Sequence, residues 1–262
     1  MSSLLSLENI HVSYGRSEII RGVDLSVQAG EFCALLGLNG SGKSTLLHAV
    51  CGFLPMQGRV CVGGTDCTPL HEKKRARLLS FIPQAASLGG GRSVLEVVLM
   101  GFNAQLGLLE SPTSVHRRIA EQMLEKIGLA SKKDCDFGTL SQGQKQLVIL
   151  ARCMAQDAPV MLMDEPDSAL DFLNRHMMLS HVRDAVHSQN RAGLLTLHDP
   201  NFAMAYCDRI FLLRDGTVQA VLTMNAATQE ELRQKLSLIY GSIEIIPYSG
   251  GFLMARCGVG AD

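Results

Sequence analysis

Residues 37–44 read Gly-Leu-Asn-Gly-Ser-Gly-Lys-Ser and match the pattern G-x-x-x-x-G-K-[ST]. The preceding stretch, FCALLGL (32–38), is a continuous apolar run that predicts a central strand buried on both faces. The following stretch, STLLHAVCGFL (44–54), has helical periodicity and ends just before a proline. Glycines let such a turn point successive N–H groups at phosphate oxygens, and the helix N-terminus adds partial positive charge. The segment therefore predicts a phosphate-binding loop, in which Lys43 reaches the β- and γ-phosphates and Ser44 ligates Mg²⁺.

The sequence on either side of this loop alternates between strand-like and helix-like segments. Segments 4–14, 18–28, 58–64 and 78–84 have the composition and alternation of strands. From about 92 to 157, apolar residues recur instead at i, i+3 and i+4, which predicts helices with no intervening strand. This helical block is interpreted as an inserted subdomain.

The strand and helix alternation returns after residue 157. Strand-like segments cover 160–164, 192–198 and 209–215, and helix-like segments cover 171–188 and 200–206. Alternating strands and helices predict a parallel sheet covered by helices.

Composition and charge limit the classes of function. A chain of 262 residues suits one large domain or a core with an inserted subdomain. Lys and Arg number 24 against 25 Asp and Glu, and this balance argues against broad binding to nucleic acid.

Neither a membrane span nor a signal peptide is expected from the sequence. No apolar run approaches the roughly 18–20 residues of a membrane span, and the N-terminus lacks the regions of a signal peptide. The eight cysteines contain no C-x-x-C pair and are expected to be reduced core thiols.

An acid pair follows the apolar strand over 160–164. Asp164 ends this strand and Glu165 comes directly after it. An aspartate there can hold the coordination shell of Mg²⁺, and an adjacent glutamate can polarise an attacking water. Taken alone, the pair is equally compatible with two solvated acids at a strand end.

The segment Leu-Ser-Gln-Gly-Gln at 140–144 opens a helix predicted over 144–156. Ser141 is a favoured N-cap residue, and Gln144 stands three positions later, as in a capping box. Taken alone, the segment indicates a well-capped helix. A helix start of this kind can also present N–H groups and a hydroxyl to an anion.

With these three segments in this order, the chain resembles the nucleotide-binding subunit of an ABC transporter. Seven motifs follow in family order and cover nearly the whole chain: Tyr14 in the A-loop, 37–45 in Walker A, Gln84 in the Q-loop, 140–144 in the signature, 160–165 in Walker B, 168–171 in the D-loop and His198 in the switch.

The resemblance implies a role for each matching residue, with ATP and Mg²⁺ as the cofactors. The expected ATP-binding residues are Tyr14, Gly37, Leu38, Asn39, Gly40, Ser41, Gly42, Lys43, Ser44 and Thr45. The signature residues expected to bind the ATP of a second copy are Ser141, Gln142, Gly143 and Gln144. The expected catalytic residues are Glu165 and His198, the Mg²⁺ ligands are Ser44, Gln84 and Asp164, and the D-loop residues are Ser168 and Asp171.

The same resemblance implies an α/β fold with a P-loop NTPase (RecA-like) core, an antiparallel β subdomain and an inserted α-helical subdomain. The ATPase domain is expected over 1–240, with its core at 1–88 and 157–240 and the helical subdomain at about 89–156. A short C-terminal tail, 241–262, would follow.

Two residues depart from the family pattern. Gln142 replaces the first glycine of LSGGQ, which is costly if that position needs positive φ or close backbone approach. Asp167 stands where the family usually has threonine, and it adds a third acid that could raise a neighbouring carboxylate pKa or perturb the dimer contact.

Two further regions indicate which ABC protein this is. Residues 100–129 resemble the helical insert of importer ATPases for iron–siderophore complexes, haem and cobalamin, and the tail resembles their YG pair and hairpin-like end. The resemblance implies that ATP hydrolysis powers the import of a metal chelate. An iron–siderophore complex is the first expected cargo, and cobalamin, haem or molybdate and tungstate come next.

The resemblance also implies several partners. They are a second ATPase copy, an integral membrane permease and, indirectly, a periplasmic or surface binding protein, but no nucleic acid. The implied location is the cytoplasmic face of the membrane.

Two alternatives stay open at this point. An exporter ATPase would share the core motifs but is often fused to membrane helices or lacks this tail. A soluble ABC ATPase usually carries coiled-coil insertions, tandem domains or basic arms, none of which this sequence has.

Overall fold

The fold contains two larger sheets, a helical block and a C-terminal hairpin. It is seen in a computed structural model that describes residues 3–85, 91–107 and 109–257. In chain order the elements are β1 (Leu5–Tyr14), β2 (Ser17–Val27), β3 (Glu31–Leu36), α1 (Lys43–Cys51), β4 (Gln57–Val62), β5 (Thr65–Asp66), α2 (Glu72–Arg75), β6 (Leu79–Ile82), α3 (Val94–Leu99), α4 (Ser114–Lys126), α5 (Gln142–Gln156), β7 (Val160–Met163), α6 (Phe172–Ser188), β8 (Ala192–Thr196), α7 (Pro200–Tyr206), β9 (Arg209–Arg214), β10 (Thr217–Thr223), α8 (Gln229–Tyr240), β11 (Ile243–Tyr248) and β12 (Gly251–Arg256).

Four N-terminal strands form an antiparallel sheet in the order β2-β1-β4-β5. Leu5 of β1 pairs with Val27 of β2 on one side and with Val62 of β4 on the other. All three side chains are buried, because the alternation of the strands places them on the same covered face. This sheet confirms the expected antiparallel β subdomain.

The second sheet has six strands in the order β10-β9-β3-β8-β7-β6. The strands from β9 to β6 run parallel, and β10 pairs antiparallel with β9 at one edge. The apolar run that precedes the phosphate loop forms β3 near the centre of this sheet, as its sequence predicts. Because the carboxyl ends of parallel strands share one edge, the segments that follow β3, β7 and β8 lie together.

The five parallel strands of this sheet end one or two residues earlier than their sequences predict, and two of these ends concern predicted site residues. β7 ends at Met163, so Asp164 is the first residue beyond it, although its N–H still donates to the carbonyl oxygen of Ile82 at 2.8 Å. β8 ends at Thr196, so His198 lies in the connection to α7 and not on the strand.

The helical block contains α3, α4 and α5, and their apolar faces pack together around Val97, Leu124 and Leu147. In the described part of this block the only strand-like contact is an isolated bridge between Ser93 and Asp136, in agreement with the helical periodicity. α5 begins at residue 142, two residues before the predicted start.

The division into core and helical subdomain stays a prediction. The predicted boundary at 88/89 lies outside the described residues. The predicted boundary after 156 coincides with the end of α5, where Asp157 adopts a left-handed φ of 57°. One buried cluster contains apolar side chains from both the helical block and the six-stranded sheet, so the two parts share a continuous core.

The C-terminal part adds a helix and a hairpin. Leu232, Leu236 and Ile239 recur along one face of α8 and are buried. After α8, β11 and β12 pair from Ile243 with Arg256 to Tyr248 with Gly251, which agrees with the hairpin-like tail. The last residues of the predicted tail, 258–262, lie outside the described residues.

All eight cysteines are free thiols, and Cys33, Cys67, Cys153 and Cys207 are buried, as expected for core cysteines. The expectation of a core position is wrong for Cys135 and Cys257, which are exposed, and Cys51 and Cys61 are half-buried. Among the described residues, none of the helices combines the length and apolarity needed to cross a bilayer.

Candidate active site

The loop between β3 and α1 depends on two glycines. A Cβ atom on Gly37 would collide with the carbonyl oxygen of Leu213, and one on Gly42 would lie 2.6 Å from Cδ1 of Ile20. Gly42 also has a φ of 102°, which L side chains rarely adopt. These positions bring the chain close to the sheet and start α1 at Lys43, so the helix N-terminus faces the loop.

Lys43 is buried under its own loop. Its Nζ donates to the carbonyl oxygens of Gly37 and Leu38 at 2.9 and 3.2 Å. Burial lowers the pKa of this ammonium group, while Glu165 and Asp164 act in the opposite direction. A phosphate anion at the loop would be a stronger acceptor for Nζ than these carbonyl oxygens.

Ser44, Asp164 and Thr196 form a hydrogen-bonded group at the ends of β7 and β8. The hydroxyl groups of Ser44 and Thr196 both donate to Oδ1 of Asp164, at 2.9 and 2.8 Å. Asp164 is only 3% exposed. Hydroxyl and carboxylate oxygens are the hard donors that Mg²⁺ prefers, so the residues fit a site for this ion.

Glu165 is held by polar contacts on two sides. Nε2 of His198 lies 2.7 Å from Oε2 of Glu165, and Nε2 of Gln84 donates to the same oxygen at 2.5 Å. The backbone N–H of Glu165 donates to Oγ1 of Thr196 at 2.8 Å. Glu165 has a φ of 45°, in the left-handed region that non-glycine residues rarely adopt. Residues held in such sparsely populated backbone regions cluster at active sites.

These groups surround one cleft of about 500 Å³. Its lining contains predicted site residues from the A-loop, Walker A, Q-loop, Walker B and switch segments. They are Tyr14, Asn39, Gly40, Gly42, Lys43, Ser44, Thr45, Gln84, Glu165 and His198. Tyr14 is 52% exposed at the rim, so a ring face is available for stacking. Gly37, Leu38, Ser41 and Asp164 do not line the cleft. The carbonyl oxygens of Gly37 and Leu38 bind Lys43, the N–H of Ser41 donates to the carbonyl oxygen of Leu38, and Asp164 accepts from Ser44.

Three residues at this site were not predicted from the sequence. Thr196 orders both acids, Ile19 lines the cleft, and Nε2 of His48 lies 3.8 Å from Oδ2 of Asp164. A polar residue at the end of an otherwise apolar strand was a signal for Thr196. Neither Ile19 nor His48 differs in pattern from an ordinary strand or helix residue.

The signature segment lies at the start of α5. Oγ of Ser141 accepts from the N–H of Gln144, and Oε1 of Gln144 accepts from the N–H of Ser141, both at 3.3 Å, so the predicted capping box is confirmed. Nζ of Lys132 also donates to Oε1 of Gln144, at 3.1 Å.

This segment belongs to a second cavity, of about 640 Å³, that shares no lining residue with the first among the described residues. It is lined by all four signature residues, by the D-loop residues Ala169, Leu170 and Asp171, and by parts of the helical block. The D-loop residue Asp171 caps α6, because its Oδ1 accepts from the N–H of Asn174 at 2.8 Å. Ser168 does not line this cavity, but its N–H donates to the carbonyl oxygen of Glu165 at 3.2 Å. The structure therefore does not bring the signature residues to the phosphate loop of the same chain.

Gln142 causes no backbone strain. It is the first residue of α5 and has no positive φ. The position that does need a small residue is the next one, since a Cβ on Gly143 would lie 3.2 Å from the carbonyl oxygen of Ala169. The glycine missing at position 142 is therefore not required by this fold.

Asp167 is buried and paired. Its Oδ2 lies 3.1 Å from Nε of Arg175 in α6, and the guanidinium group of Arg175 lies 5.1 Å from the ring centroid of Phe202 in α7. Burial raises the pKa of the Asp167 carboxyl group, and Arg175 opposes this shift.

The cleft combines a phosphate loop, a group of oxygen atoms suited to Mg²⁺ and a glutamate next to both. These features define a nucleotide-hydrolysing domain. The ABC transporter family pattern matches residues 20–168, and the chain belongs to this family as its ATPase domain.

Known proteins that are similar to this chain agree with that assignment. A "Probable iron chelatin transport ATP-binding protein" of Helicobacter pylori is 34% identical over 214 residues, which cover 81% of this chain and 84% of that protein. The "Hemin import ATP-binding protein HmuV" of Pseudomonas entomophila is 38% identical over 226 residues, which cover 84% and 87%. A solved structure of a protein assigned as a metal-chelate type ABC transporter, in an inward-facing conformation, superposes with a TM-score of 0.79, with 29% identity over 97% of this chain and 96% of that one.

Proposed function

We propose that this chain is the ATP-hydrolysing subunit of an ABC importer for a metal chelate, with an iron chelate as the leading cargo. The observation that carries the hydrolytic role is the contact of Glu165 with both His198 and Gln84 at the cleft. The names of the two relatives support the cargo class, since both refer to iron-containing chelates. Cobalamin, molybdate and tungstate are the other cargoes to test.

Each group around the cleft has a task in this proposal. The ring of Tyr14 stacks on the base, while the N–H groups of the loop and Lys43 bind the phosphates. Ser44, Gln84 and Asp164 are the residues that would hold Mg²⁺, which when bound would supply positive charge to offset that of the phosphates. In this structure the Gln84 side chain donates to Glu165, so its amide oxygen is free of that bond and available to the ion.

Glu165 and His198 act on the attacking water and on the γ-phosphate. The carboxylate of Glu165 takes a proton from the water as it attacks, and Nε2 of His198 donates a hydrogen bond to a γ-phosphate oxygen. His198 and Glu165 are in contact in this structure, so γ-phosphate binding exchanges one partner of His198 for another. The exchange leaves Gln84 as the remaining partner of Oε2 of Glu165 and makes room for a hydrogen bond from the attacking water to that carboxylate.

The second cavity completes the site of another copy. Ser141, Gln142, Gly143 and Gln144 would cap the ATP bound to a partner subunit, with Ser168 and Asp171 of the D-loop at the contact. The arrangement would be a two-fold dimer in which two ATP molecules lie between the subunits. ATP binding then favours the closed dimer and hydrolysis releases it. An integral membrane permease would use this motion at the cytoplasmic face of the membrane, with cargo delivered by a binding protein on the other side.

Substitution of Glu165 by Gln tests the hydrolytic role. The variant keeps the shape of the side chain and removes the basic carboxylate, so turnover should fall by about 10²–10⁴-fold while MgATP binding persists. The ATP-bound dimer should accumulate, as measured by size-exclusion chromatography with MgATP. Glu244→Gln, on the exposed side of the hairpin, is the matched control and should hydrolyse ATP at the wild-type rate. A wild-type rate in Glu165→Gln would contradict the proposal.

The importer assignment needs a separate experiment. The chain should co-purify with a multi-span permease, and its ATPase activity should rise when the cognate binding protein is added. A permease without any such stimulation would indicate an exporter, and no permease at all would indicate a soluble ABC ATPase. Affinity of the binding protein for ferric siderophores, haem, cobalamin and oxyanions then identifies the cargo.

A further inference from the structure

His198 lies in a short connection whose two ends are anchored differently. On one side β8 ends at Thr196, whose hydroxyl group bonds to both Asp164 and Glu165. On the other side is α7, a helix of only seven residues. A helix this short has little stability of its own, so its position depends on what it packs against.

The C-terminal hairpin contacts this helix through Asn201. Oδ1 of Asn201 accepts from the N–H of Met254 at 2.7 Å, and its Nδ2 donates to the carbonyl oxygen of the same residue at 3.4 Å. The side chain therefore pairs with one residue of β12 as a neighbouring strand would. The backbone N–H of Asn201 donates to Oδ1 of Asp199, the N-cap of α7, at 2.8 Å. Asp199 directly follows His198.

The hairpin is itself fixed to the body of the protein. Ile243 and Ile245 of β11 are buried in the main core, and Nε2 of Gln229 in α8 donates to the carbonyl oxygen of Ile245 at 2.6 Å. Asn201 thus joins a well-anchored strand to the first turn of the helix that follows His198. A displacement of about 1 Å at such a group can lower a reaction rate substantially.

We propose that Asn201 is a positioning residue for hydrolysis, through which the C-terminal hairpin holds α7 and keeps His198 in reach of Glu165 and the γ-phosphate. This inference rests on the proposed role of His198. It gives the hairpin a task in the chemistry, although the hairpin contributes no residue to the cleft.

The test is a double-mutant cycle on the full chain. Asn201→Ala should lower kcat about tenfold, with KM for MgATP unchanged, because the groups that bind the nucleotide are on other elements. In a His198→Ala background the same substitution should change kcat less than about twofold, because the residue through which it acts is already absent. Asn201→Asp keeps the acceptor for the N–H of Met254 and should retain about half of the wild-type kcat or more.

Lys235→Met is the matched control. Lys235 also bonds to the backbone of a neighbouring element, since its Nζ donates to the carbonyl oxygen of Val221 at 2.8 Å, and its other hydrogen bond among the described residues is to Glu231 on its own helix. This variant and Asn201→Ala should each lower Tm by about 2–4 °C, and only Asn201→Ala should lower kcat.

Two results would overturn the inference in distinguishable ways. Additive losses of kcat in the double variant would show that Asn201 acts independently of His198, while the role of His198 itself would stand. A wild-type kcat in His198→Ala alone would contradict the role proposed for His198, and with it the positioning role of Asn201.

Discussion

Asp167 and Arg175 show how one departure from a family pattern is accommodated. Asp167 is 5% exposed, and its carboxylate would be costly to bury without a partner. Arg175, one turn into α6, supplies that partner and packs over Phe202. The sequence shows the acid but not its partner, because the two are eight positions apart and the turn before α6 brings them together.

Removal of the cation should therefore destabilise the chain. Arg175→Met leaves the Asp167 carboxylate buried and unpaired, and we expect the free energy of unfolding at pH 7 to fall by about 3–5 kcal/mol. Asp167→Thr in the same chain should recover much of that loss. Arg117→Met, which removes an exposed partner of Glu121, is the control and should leave stability close to that of wild type, because solvent screens an exposed pair. Denaturant unfolding measures all three, and equal losses in the two Arg variants would contradict the interpretation.

The pH dependence of this variant has a definite sign. Burial raises the pKa of Asp167 in the folded state above its ordinary value. A raised folded pKa means that the folded state binds the proton more tightly, so the stability contribution is present at low pH and lost as pH rises through the folded pKa. Arg175 lowers this pKa, so its removal should raise the folded pKa of Asp167 further. The deficit of Arg175→Met relative to wild type should therefore shrink as pH is lowered from 7 toward 4.

The candidate site could be predicted from the sequence where its residues are contiguous. The phosphate loop, the acid pair and the capping box at Ser141 each occupy one short stretch, and each is found where its pattern indicates. Thr196 and His48 could not be found in this way, because their contacts with Asp164 join residues distant in sequence. The sequence could not show whether position 142 needs a positive φ, because a sequence pattern does not report backbone angles. The structure shows that Gln142 has no positive φ.

Most elements could likewise be predicted, since hydrophobic periodicity is a local property. The order of the six-stranded sheet could not, because it depends on pairing between strands that are distant in sequence, such as β3 and β9, where Cys33 pairs with Arg209. α8 was not predicted as a helix, although Leu232, Leu236 and Ile239 have helical spacing. Strand ends were placed one or two residues too late at Asp164 and His198, because residue composition does not report where the sheet hydrogen bonds stop.

The end of α8 contains a buried phenol that should affect alkaline stability. Among the described residues, the hydroxyl group of Tyr240 has no hydrogen-bond partner, and burial raises its pKa to about 12. Between pH 10 and 12 the unfolded chain loses this proton before the folded chain does, so stability falls as pH rises.

Tyr240→Phe should remove this loss. Its free energy of unfolding should exceed that of wild type by about 1 kcal/mol near neutral pH and by more at pH 11, since one titrating group contributes up to about 1.4 kcal/mol per pH unit. Tyr248→Phe, at an exposed position of the hairpin, is the control and should follow the wild-type profile. A Tyr240→Phe profile parallel to wild type from pH 8 to 11.5 would contradict the prediction.

At the scale of the whole molecule, the proposed dimer predicts complementation between two inactive variants. Lys43→Ala removes the cation of the phosphate loop, and Ser141→Arg places a bulky charge at the signature. Neither homodimer should hydrolyse ATP. In the mixed dimer one site combines an intact loop with an intact signature, so nucleotide trapping should show about half of the wild-type site number.

A control separates this arrangement from sites built within one chain. In a purified mixed dimer of one wild-type subunit and one subunit carrying both substitutions, neither site combines an intact loop with an intact signature, so this dimer should be inactive. If each chain instead completed its own site, the wild-type subunit of that dimer would be active and the Lys43→Ala with Ser141→Arg mixture would not.

The separation of the phosphate-loop cleft from the signature cavity also has a kinetic consequence. If each chain carries two halves of different sites, the rate per molecule of the free protein depends on how often two copies meet. Specific activity then rises with protein concentration and levels off only when dimers predominate. Two copies held on one permease are near each other at an effective concentration of roughly millimolar, whatever their number in the cell. The carrier in the membrane would thereby convert a reaction of second order in this chain into one of first order.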